Sequence, residues 1–317
     1  METTADRVFI KEEGPREGFQ IEPGPIATVD KIRLIDALAQ TGLRHIQVTS
    51  FVHPGKVPGM ADAEAVVAGL TPRPGVHYSA LWLNQRGLQR AIATHRLTLE
   101  GKLTLYASAA FLRRNQNRDP AQQRDAQPEL IRMYQAHGIP VRTGFVTAAF
   151  GCNFEGDIPP ARVVELVGDM RRIARDQGED LSLIGLGDTM AWATPDRIRR
   201  VVGMVQDANP DIALSLHLHD TRGMGLANAW AGLEMGVRHF DAAVAGLGGC
   251  PFASHAGAAG NICTEDFVFL CHELGLETGI DLEALAECAR LAESIVGHPL
   301  PGKIKTGGSL AALRARL

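Results

Sequence analysis

Two histidines separated by one residue, in the stretch Leu216-His217-Leu218-His219-Asp220, are the first side chains here that suggest chemistry. On a β-strand, residues i and i+2 project from the same face, so both imidazoles could grip one metal ion. Asp220 would project from the opposite face, which predicts a structural or supporting role for it. One alternative remains open, because an imidazole at a strand end often only binds a backbone carbonyl.

The histidine pair indicates a metal site only if oxygen ligands reach it from elsewhere in the chain. Glu17 and Asn261 are the candidates. The alternative for Glu17 is a solvated loop acid paired with Arg16, and for Asn261, which follows Gly260, it is ordinary turn chemistry. Two nitrogens with carboxylate and amide oxygens suit Mg²⁺ or Mn²⁺, whereas Zn²⁺ would favour a more compact set of four ligands.

A guanidinium and a thiol add to these reactive groups. Arg16 could hold a carbonyl oxygen or a developing enolate. Cys250 follows glycines and precedes proline in Gly248-Gly249-Cys250-Pro251, a pattern typical of a flexible loop. A thiol on such a loop could donate or accept a proton, or be oxidised. A metal and this thiol together indicate an enzyme that stabilises an oxyanion and moves a proton.

The remaining cysteines are predicted to be small buried hydrophobic residues. They are Cys152, Cys263, Cys271 and Cys288. Five cysteines without any CxxC pair argue for a reducing compartment and against a disulfide framework or a zinc ribbon.

Alternating strand-like and helix-like segments must position these groups. The predicted strands cover residues 8–12, 45–50, 76–83, 103–107, 141–147, 181–187, 213–219 and 240–245. The predicted helices between them cover residues 29–40, 64–69, 85–94, 127–137, 162–176, 195–206 and 225–234. Eight βα units over roughly 250 residues predict an α/β fold of the (β/α)8 TIM-barrel type. A Rossmann sheet is disfavoured, since no GxGxxG follows the first strand.

Local signals mark several helix ends. Thr28 is a predicted N-cap, and Thr194-Pro195 is predicted to open another helix with proline at its first position. Glycines are predicted to end three helices, at Gly42, Gly138 and Gly236.

The chain is predicted to form a single domain over residues 1–317. The barrel would span about 8–275, followed by extra C-terminal helices over about 276–317. Two of the late helices are predicted at residues 264–274 and 282–296.

In a TIM barrel, catalytic residues lie where strands end and βα loops begin. The unusual polar residues of this chain fall at those positions. They are Arg16 and Glu17 after the first strand, Gln47 and Thr49 near the end of the second, Asp188 at the sixth, His217 and His219 at the seventh, and Cys250 and Asn261 after the eighth. This coincidence supports the predicted fold and site together.

Composition excludes several classes of protein. A net charge of −4 gives no basic face, so nucleic acid is not an expected partner. No apolar run reaches the roughly 18 residues of a membrane span. Residues 1–7 have neither a basic n-region nor an apolar h-region, so a secretory signal is not expected. We therefore expect a cytoplasmic protein without a membrane partner.

Several motifs together resemble a known family, that of 3-hydroxy-3-methylglutaryl-CoA lyase in the TIM-barrel metallolyase superfamily. The resemblance runs from about residue 8 to about residue 280, and the cysteine loop is its most specific part. The matching motifs are Glu13-Gly14-Pro15-Arg16-Glu17-Gly18-Phe19-Gln20, Thr49-Ser50-Phe51-Val52, Pro54, Val57-Pro58, Gly187-Asp188-Thr189, His217-Leu218-His219-Asp220-Thr221, 244–252, Gly260-Asn261 and Thr264-Glu265-Asp266. The His-x-His-Asp-Thr segment is shared more widely, with carboxyl-transferring enzymes and isopropylmalate-type synthases.

The resemblance implies a metal-dependent retro-aldol cleavage of a branched 3-hydroxyacyl-CoA. For the family this reaction yields acetyl-CoA and acetoacetate. It implies Arg16, Cys250 and His217 as catalytic residues, with Arg16 stabilising the enolate and Cys250 helping to protonate it. The residues implied as metal ligands are Glu17, His217, His219 and Asn261. Those implied around the substrate or behind the ligands are Gln20, Gln47, Thr49, Asp188 and His255.

The resemblance further implies an acyl-CoA substrate, a bound Mg²⁺ or Mn²⁺, a homo-oligomer that would be a dimer, and a role in leucine catabolism. Three departures from the family pattern stand out. Glu17 replaces an aspartate, Gln47 replaces a glutamate, and the loop between Cys250 and Asn261 carries two extra residues. His255 on that loop would be a surface histidine or would assist proton transfer near neutral pH.

Other functions stay open at this point. A related lyase could act on citramalyl-CoA and release pyruvate with acetyl-CoA. A condensing synthase of the superfamily is disfavoured, because such enzymes usually carry a long C-terminal region and little chain remains after Leu282. A non-catalytic barrel is disfavoured because both histidines, Arg16, Asn261 and Cys250 are all present.

Overall fold

The computed structural model describes residues 6–248 and 260–317, so two predicted site residues, Cys250 and His255, lie outside the described residues. Within the described ranges there are eight strands, and each coincides with a predicted strand to within a few residues at its ends. They are β1 (Phe9–Glu12), β2 (His45–Ser50), β3 (His77–Leu81), β4 (Gly101–Tyr106), β5 (Val141–Thr147), β6 (Leu183–Gly187), β7 (Ala213–His217) and β8 (His239–Ala242).

Helices follow the strands along the chain. The α-helices are α1 (Phe19–Ile21), α2 (Thr28–Leu38), α3 (Ala63–Gly69), α4 (Gln85–Ala93), α5 (Ala109–Gln116), α6 (Pro120–Gln135), α7 (Pro160–Asp176), α8 (Pro195–Ala208), α9 (Gly225–Glu234), α10 (Thr264–Glu273), α11 (Leu282–Val296), α12 (Ile304–Gly307) and α13 (Leu310–Arg314). A π-helix (Gly14–Gly18) and two 3₁₀ turns (Pro58–Met60 and Val244–Gly246) complete the set.

All eight strands belong to one sheet, in the order β3-β2-β1-β8-β7-β6-β5-β4. The pairs β1–β2, β2–β3, β4–β5, β5–β6 and β6–β7 are parallel. In this order β8 lies beside β1. Strands that are consecutive in the chain are also adjacent in the sheet, except β3 and β4. A barrel requires the first and last strands to be neighbours, whereas a doubly wound sheet does not. The predicted TIM-barrel class is confirmed.

The described chain forms two compact units. The first contains residues 6–99, 240–248 and 260–317, and the second contains residues 100–239. The single domain over residues 1–317 stays a prediction, and each unit is described by itself.

The first unit contains β2, a parallel strand that is buried on both faces, as strands covered by helices are. Five of the six residues of β2 are buried, with Ile46 and Val48 in the core. Helix α2 buries Leu34, Ile35 and Leu38, which recur at helical spacing on one face. Helix α2 contacts the π-helix after β1 and helix α3, and α3 packs on β2, so these elements support the segments that carry the N-terminal site residues.

The second unit uses glycine to make room for an aromatic ring. A Cβ on Gly185 would lie 2.4 Å from the ring of Phe145, and one on Gly187 would lie 2.9 Å from it. The absence of these side chains lets Phe145 on β5 reach across β6. Its ring lies edge-on to His217 at the end of β7, with centroids 6.1 Å apart.

Several predicted helix boundaries are confirmed. Thr194 caps α8 with its side chain, and Pro195 is at the first helical position. Gly42, Gly138 and Gly236 all have positive φ, as helix-ending glycines require. The predicted cap at Thr28 is wrong: Ala27 occupies the cap position, and the Thr28 hydroxyl donates to Asp62 Oδ2 at 2.6 Å.

Helix α5 was not predicted, and α6 begins earlier than the predicted 127–137 segment. The start of α6 carries a capping box, in which Asp119 accepts from the Gln122 N–H and Gln122 accepts from the Asp119 N–H. Pro120 then opens the helix. The sequence contains this capping signal. Pro128 inside the segment, however, predicts a helix break, so the full length of α6 was not predicted.

Two further predictions concern the interior and the membrane. Cys152, Cys263, Cys271 and Cys288 are all buried, as expected for small apolar residues. Among the described residues, no helix has the length and apolar character needed to cross a membrane.

Candidate active site

A π-helix at the end of β1 presents Arg16 and Glu17. Such wide turns are rare and are frequent at functional sites. The turn starts at Gly14, where a Cβ would lie 2.7 Å from Glu12 Oε1. A side chain at position 14 would therefore crowd this carboxylate and the nearby Val244 backbone nitrogen, at 3.2 Å. The sequence motif Gly-Pro-Arg-Glu-Gly thus forms a wide turn that presents a guanidinium and a carboxylate at the strand end.

The Arg16 guanidinium has three side-chain partners in the first unit. Its Nη2 donates to Glu13 Oε2 at 2.6 Å, and its Nη1 lies 2.9 Å from Glu17 Oε2. Its Nε donates to Gln47 Oε1 in a short hydrogen bond. Burial lowers the pKa of Arg16, but the charges of Glu13 and Glu17 outweigh it and hold the pKa above its ordinary value. The group is a fixed cation, suited to stabilising an oxyanion.

Asn261 lies beside Glu17 at the backbone of Gly248. A Cβ on Gly248 would lie 2.9 Å from Asn261 Nδ2 and 3.4 Å from Glu17 Cγ. Asn261 is buried, and neither its Oδ1 nor its Nδ2 has a hydrogen-bond partner among the described residues. Buried polar atoms in proteins are nearly always paired. An unpaired buried amide next to a carboxylate therefore indicates a place for a ligand.

Two more predicted residues of the first unit are buried or partly buried. Thr49 is buried, and its hydroxyl donates to Met60 Sδ at 3.6 Å. The Oε1 atom of Gln20 is buried and has no partner within the described ranges. Gln20 thus offers an acceptor, whereas Thr49 is engaged by a neighbouring sulfur.

Glu12 was not among the predicted site residues, although the structure places it directly behind the turn. Its Oε1 accepts from the Gly14 and Val244 N–H groups, each at 2.8 Å, and its Oε2 accepts from Thr264 Oγ1 at 2.6 Å. Burial raises the pKa of Glu12 to about 7. The only signal in the sequence is an acid ending a buried strand, which does not reveal partners that lie far along the chain.

The second unit holds the two histidines at the end of β7. Their ring centroids are 5.0 Å apart, with an interplanar angle of 69°. His219 Nδ1 lies 3.0 Å from the Asp188 carbonyl oxygen. Because a carbonyl can only accept, Nδ1 carries the proton and Nε2 the lone pair, which is the tautomer that a metal ligand needs. The sequence left open that an imidazole here only binds a backbone carbonyl. His219 does make such a contact, and the contact leaves the lone pair for ligation on its Nε2.

Asp188 follows β6 and is buried. Its Oδ1 accepts from the Trp192 and Ala193 N–H groups at 2.7 and 3.0 Å, and its Oδ2 has no partner in the described part of the chain. Burial raises the pKa of Asp188 to about 6, against the lowering effect of His219 and His217. Asp220 has the predicted structural role, since it accepts from the Gly225 N–H at the start of α9.

The predicted residues thus fall into two groups. The first unit brings together Arg16, Glu17, Gln47 and Asn261, through contacts around the π-helix and Gly248. The second unit brings together Asp188, His217 and His219. Glu13, which binds Arg16, was missed because an acid in a charged run has no distinctive signal.

Comparison with known proteins gives a family and several relatives. Residues 7–292 match the HMGL-like family. The chain is similar to mitochondrial hydroxymethylglutaryl-CoA lyase of Gallus gallus, with 41% identity, covering 89% of this chain and 91% of that protein. It is 36% identical to the 3-hydroxy-3-isohexenylglutaryl-CoA/hydroxy-methylglutaryl-CoA lyase of Pseudomonas aeruginosa, over 96% of each.

The fold is similar to that of solved structures. An HMG-CoA lyase from Acinetobacter baumannii, solved in complex with coenzyme A and 3-methylmalate, superposes with a TM-score of 0.87. The two sequences are 38% identical, and the match covers 98% of this chain and 97% of that one.

Proposed function

Because this chain belongs to the HMGL-like family of carbon–carbon lyases, we propose that it cleaves 3-hydroxy-3-methylglutaryl-CoA into acetyl-CoA and acetoacetate. The observation that carries the proposal is the fixed Arg16 cation beside Glu17 and the buried amide of Asn261, which has no hydrogen-bond partner in the described part of the chain. This reaction needs a cation at a developing enolate and a site for the oxygens of the substrate.

We propose Glu17, His217, His219 and Asn261 as ligands of a divalent metal, Mg²⁺ or Mn²⁺. The residues fit such an ion: Glu17, His217 and His219 have side chains of ligating type, His219 is in the required tautomer, and the amide of Asn261 lacks a partner among the described residues. A set of oxygen and imidazole donors favours Mg²⁺ or Mn²⁺ over a thiolate-type metal. When bound, such an ion supplies Lewis-acid polarisation of the substrate oxygens.

The cleavage moves two electron pairs, and one proton is lost and one is gained. The 3-hydroxyl of the substrate gives its proton to a base, the electron pair of its O–H bond forms the ketone of acetoacetate, and the C2–C3 bond breaks. The electrons of that bond pass to the thioester, giving the enolate of acetyl-CoA, which takes up a proton at C2. We propose that Arg16 donates hydrogen bonds to this enolate oxygen and lowers the barrier by electrostatic stabilisation.

Other residues are proposed to assist. We assign His217 to catalysis as well as to ligation, and Cys250, outside the described residues, to protonation of the enolate. Gln47 orients Arg16 through its hydrogen bond to Nε, and the Asp188 carbonyl orients His219. The proposed substrate contacts are Gln20 and Thr49, with His255 of the cysteine loop, which also lies outside the described ranges.

The wider assignments are proposals on the same family basis. We propose an acyl-CoA ligand, supported by the coenzyme A bound to the Acinetobacter baumannii relative. We also propose a homodimer, which light scattering on purified protein would measure. We further propose a cytoplasmic location, because the five cysteines of the sequence include no CxxC pair and do not suggest a disulfide framework.

A product assay tests the proposed function. Purified protein with Mg²⁺ or Mn²⁺ is given 3-hydroxy-3-methylglutaryl-CoA and citramalyl-CoA in parallel, and release of acetyl-CoA, acetoacetate and pyruvate is followed. We expect acetoacetate from the first substrate in a reaction abolished by chelator. Fast turnover of citramalyl-CoA with none of 3-hydroxy-3-methylglutaryl-CoA would contradict the proposed substrate.

A further inference from the structure

Glu13 is a buried acid that takes part in the Arg16 network. Its side chain is 3% exposed. Its Oε1 accepts from Lys11 Nζ at 2.6 Å, and its Oε2 accepts from Arg16 Nη2 at 2.6 Å. Each carboxylate oxygen therefore faces one cation. Lys11 lies in β1, and Glu13 directly follows the last residue of that strand, so the acid is two residues from its lysine.

The three partners of the Arg16 guanidinium are not equivalent. Gln47 is a neutral amide, so it orients Nε without balancing charge. Glu17 is a carboxylate, but in the proposed function it also binds the metal, which withdraws part of its charge from Arg16. Glu13 is the carboxylate that the mechanism does not use elsewhere, and it is more deeply buried than Arg16.

We propose that Glu13 is a positioning residue that holds the Arg16 guanidinium in its catalytic orientation and balances its charge while Glu17 serves the metal. This inference rests on the proposed function for the role of Arg16. A bidentate or multiply bonded guanidinium has a defined plane, whereas one with fewer partners rotates. Loss of the Glu13 charge would therefore leave Arg16 misplaced with respect to the enolate oxygen.

Transferring the carboxylate from position 13, directly after β1, to position 47 in β2 tests this role. Glu13→Gln removes the charge and keeps the size of the side chain. The double variant Glu13→Gln/Gln47→Glu restores one carboxylate beside Arg16, because Gln47 Oε1 already accepts from Arg16 Nε. Glu64→Gln is the matched control, since Glu64 binds Arg90 through both oxygens, at 2.6 and 2.8 Å, on an exposed helix face.

We expect Glu13→Gln to lower kcat about tenfold, with KM changed by less than about twofold, because Arg16 acts on the transition state. The double variant should recover most of kcat, and the control should keep the wild-type value. If Glu13 had only a structural role, a carboxylate at position 47 in β2 would not restore kcat. Crystal structures of the variants should show the guanidinium displaced in Glu13→Gln and returned in the double variant.

Wild-type kcat in Glu13→Gln would overturn the proposal, as would a folded double variant as impaired as the single one. If Glu13→Gln does not fold, the double variant decides, since near-wild-type kcat supports the role and a tenfold loss contradicts it. If the wild-type chain does not cleave 3-hydroxy-3-methylglutaryl-CoA, the proposed function fails. The crystal structures then decide separately, because an unmoved Arg16 in Glu13→Gln contradicts the inference.

Discussion

Asn261, which we propose as a metal ligand, makes no side-chain hydrogen bond within the described part of the fold. Its amide is buried without a hydrogen-bond partner among the described residues, so it contributes a cost to folding instead of a gain. A protein retains such a group where an external atom completes it. The same reasoning does not apply to Thr49, whose hydroxyl is already engaged by Met60.

Asn261→Ala should therefore separate metal binding from stability. We expect affinity for Mn²⁺ to fall about ten- to a hundredfold, while the metal-free variant unfolds at the same temperature as wild type or higher. Titration calorimetry with Mn²⁺ and thermal unfolding measure the two effects. Asn209→Ala is the control, since Asn209 is buried and both of its side-chain polar atoms are paired: Nδ2 donates to the Val205 carbonyl at 3.2 Å, and Oδ1 accepts from Arg171 Nη1 at 2.8 Å. It should lose about 1 kcal/mol of stability and keep the metal affinity. Unchanged affinity in Asn261→Ala would exclude it as a ligand.

Glu12 is a buried acid whose ionisation couples to folding. Its pKa is about 7 in the folded chain because of burial, against 4.5 for the ordinary carboxyl. Between these two values the folded state holds a proton that the unfolded state has released. The contribution of Glu12 to stability is therefore complete below about pH 4.5 and is lost as pH rises through about 7.

Glu12→Gln should remove this pH dependence. The glutamine oxygen can accept from Gly14 and Val244, and its amide can donate to Thr264, so the contacts survive. We expect the variant to gain stability relative to wild type by up to about 1.4 kcal/mol per pH unit across that window. Urea unfolding between pH 5 and about pH 8 measures the difference. In Glu64→Gln the difference from wild type should stay flat over this range, because Arg90 lowers the pKa of Glu64. A flat difference in Glu12→Gln would contradict the prediction.

At the scale of elements, two backbone segments of the first unit approach each other closely at Gly260. A Cβ there would lie 2.4 Å from the Gly248 carbonyl oxygen and 2.5 Å from the backbone of Leu247. Backbone atoms cannot swing aside as a flexible side chain does. Position 260 thus requires glycine for close packing and not for a positive φ.

Gly260→Ala should destabilise the chain by about 2 kcal/mol or more, because overpacking against backbone forces a shift. It should also weaken metal binding, since Asn261 is the next residue. Gly168→Ala is the control: Gly168 lies in α7, and a Cβ there would meet nothing within 4 Å among the described residues. That variant should gain about 0.5–1 kcal/mol from helix propensity. Thermal and urea unfolding compare the pair, and equal effects would show that the Gly260 contact is unimportant.

The elements themselves were largely predictable. The strands contain apolar and β-branched residues in short segments interrupted or bounded by polar or glycine residues, a local pattern that needs no partner to be recognised. Helix α5 was missed because it is short and its apolar face is limited to Phe111 and Leu112. The cap at Thr28 was wrong because a residue from another helix, Asp62, competes for its hydroxyl.

At the scale of the whole molecule, the order of the sheet and the family agree. The first and last strands are neighbours in one eight-stranded parallel sheet, and relatives with lyase activity in their names match nearly the full chain. The reaction type therefore follows from the family. Within that family, Glu17 and Gln47 of this chain both bind Arg16, and Glu13 adds a second carboxylate to the same guanidinium.

The amino-acid sequence by itself determined the strands, most helices and the reactive residue types, because these depend on spacing within a short window. The tertiary structure alone revealed the partners of those residues. Arg16 meets Gln47, 31 positions away, and Glu12 meets Thr264, 252 positions away. Such contacts, like the lack of a partner for the Asn261 amide among the described residues, are set by how the backbone folds, and no local pattern records them.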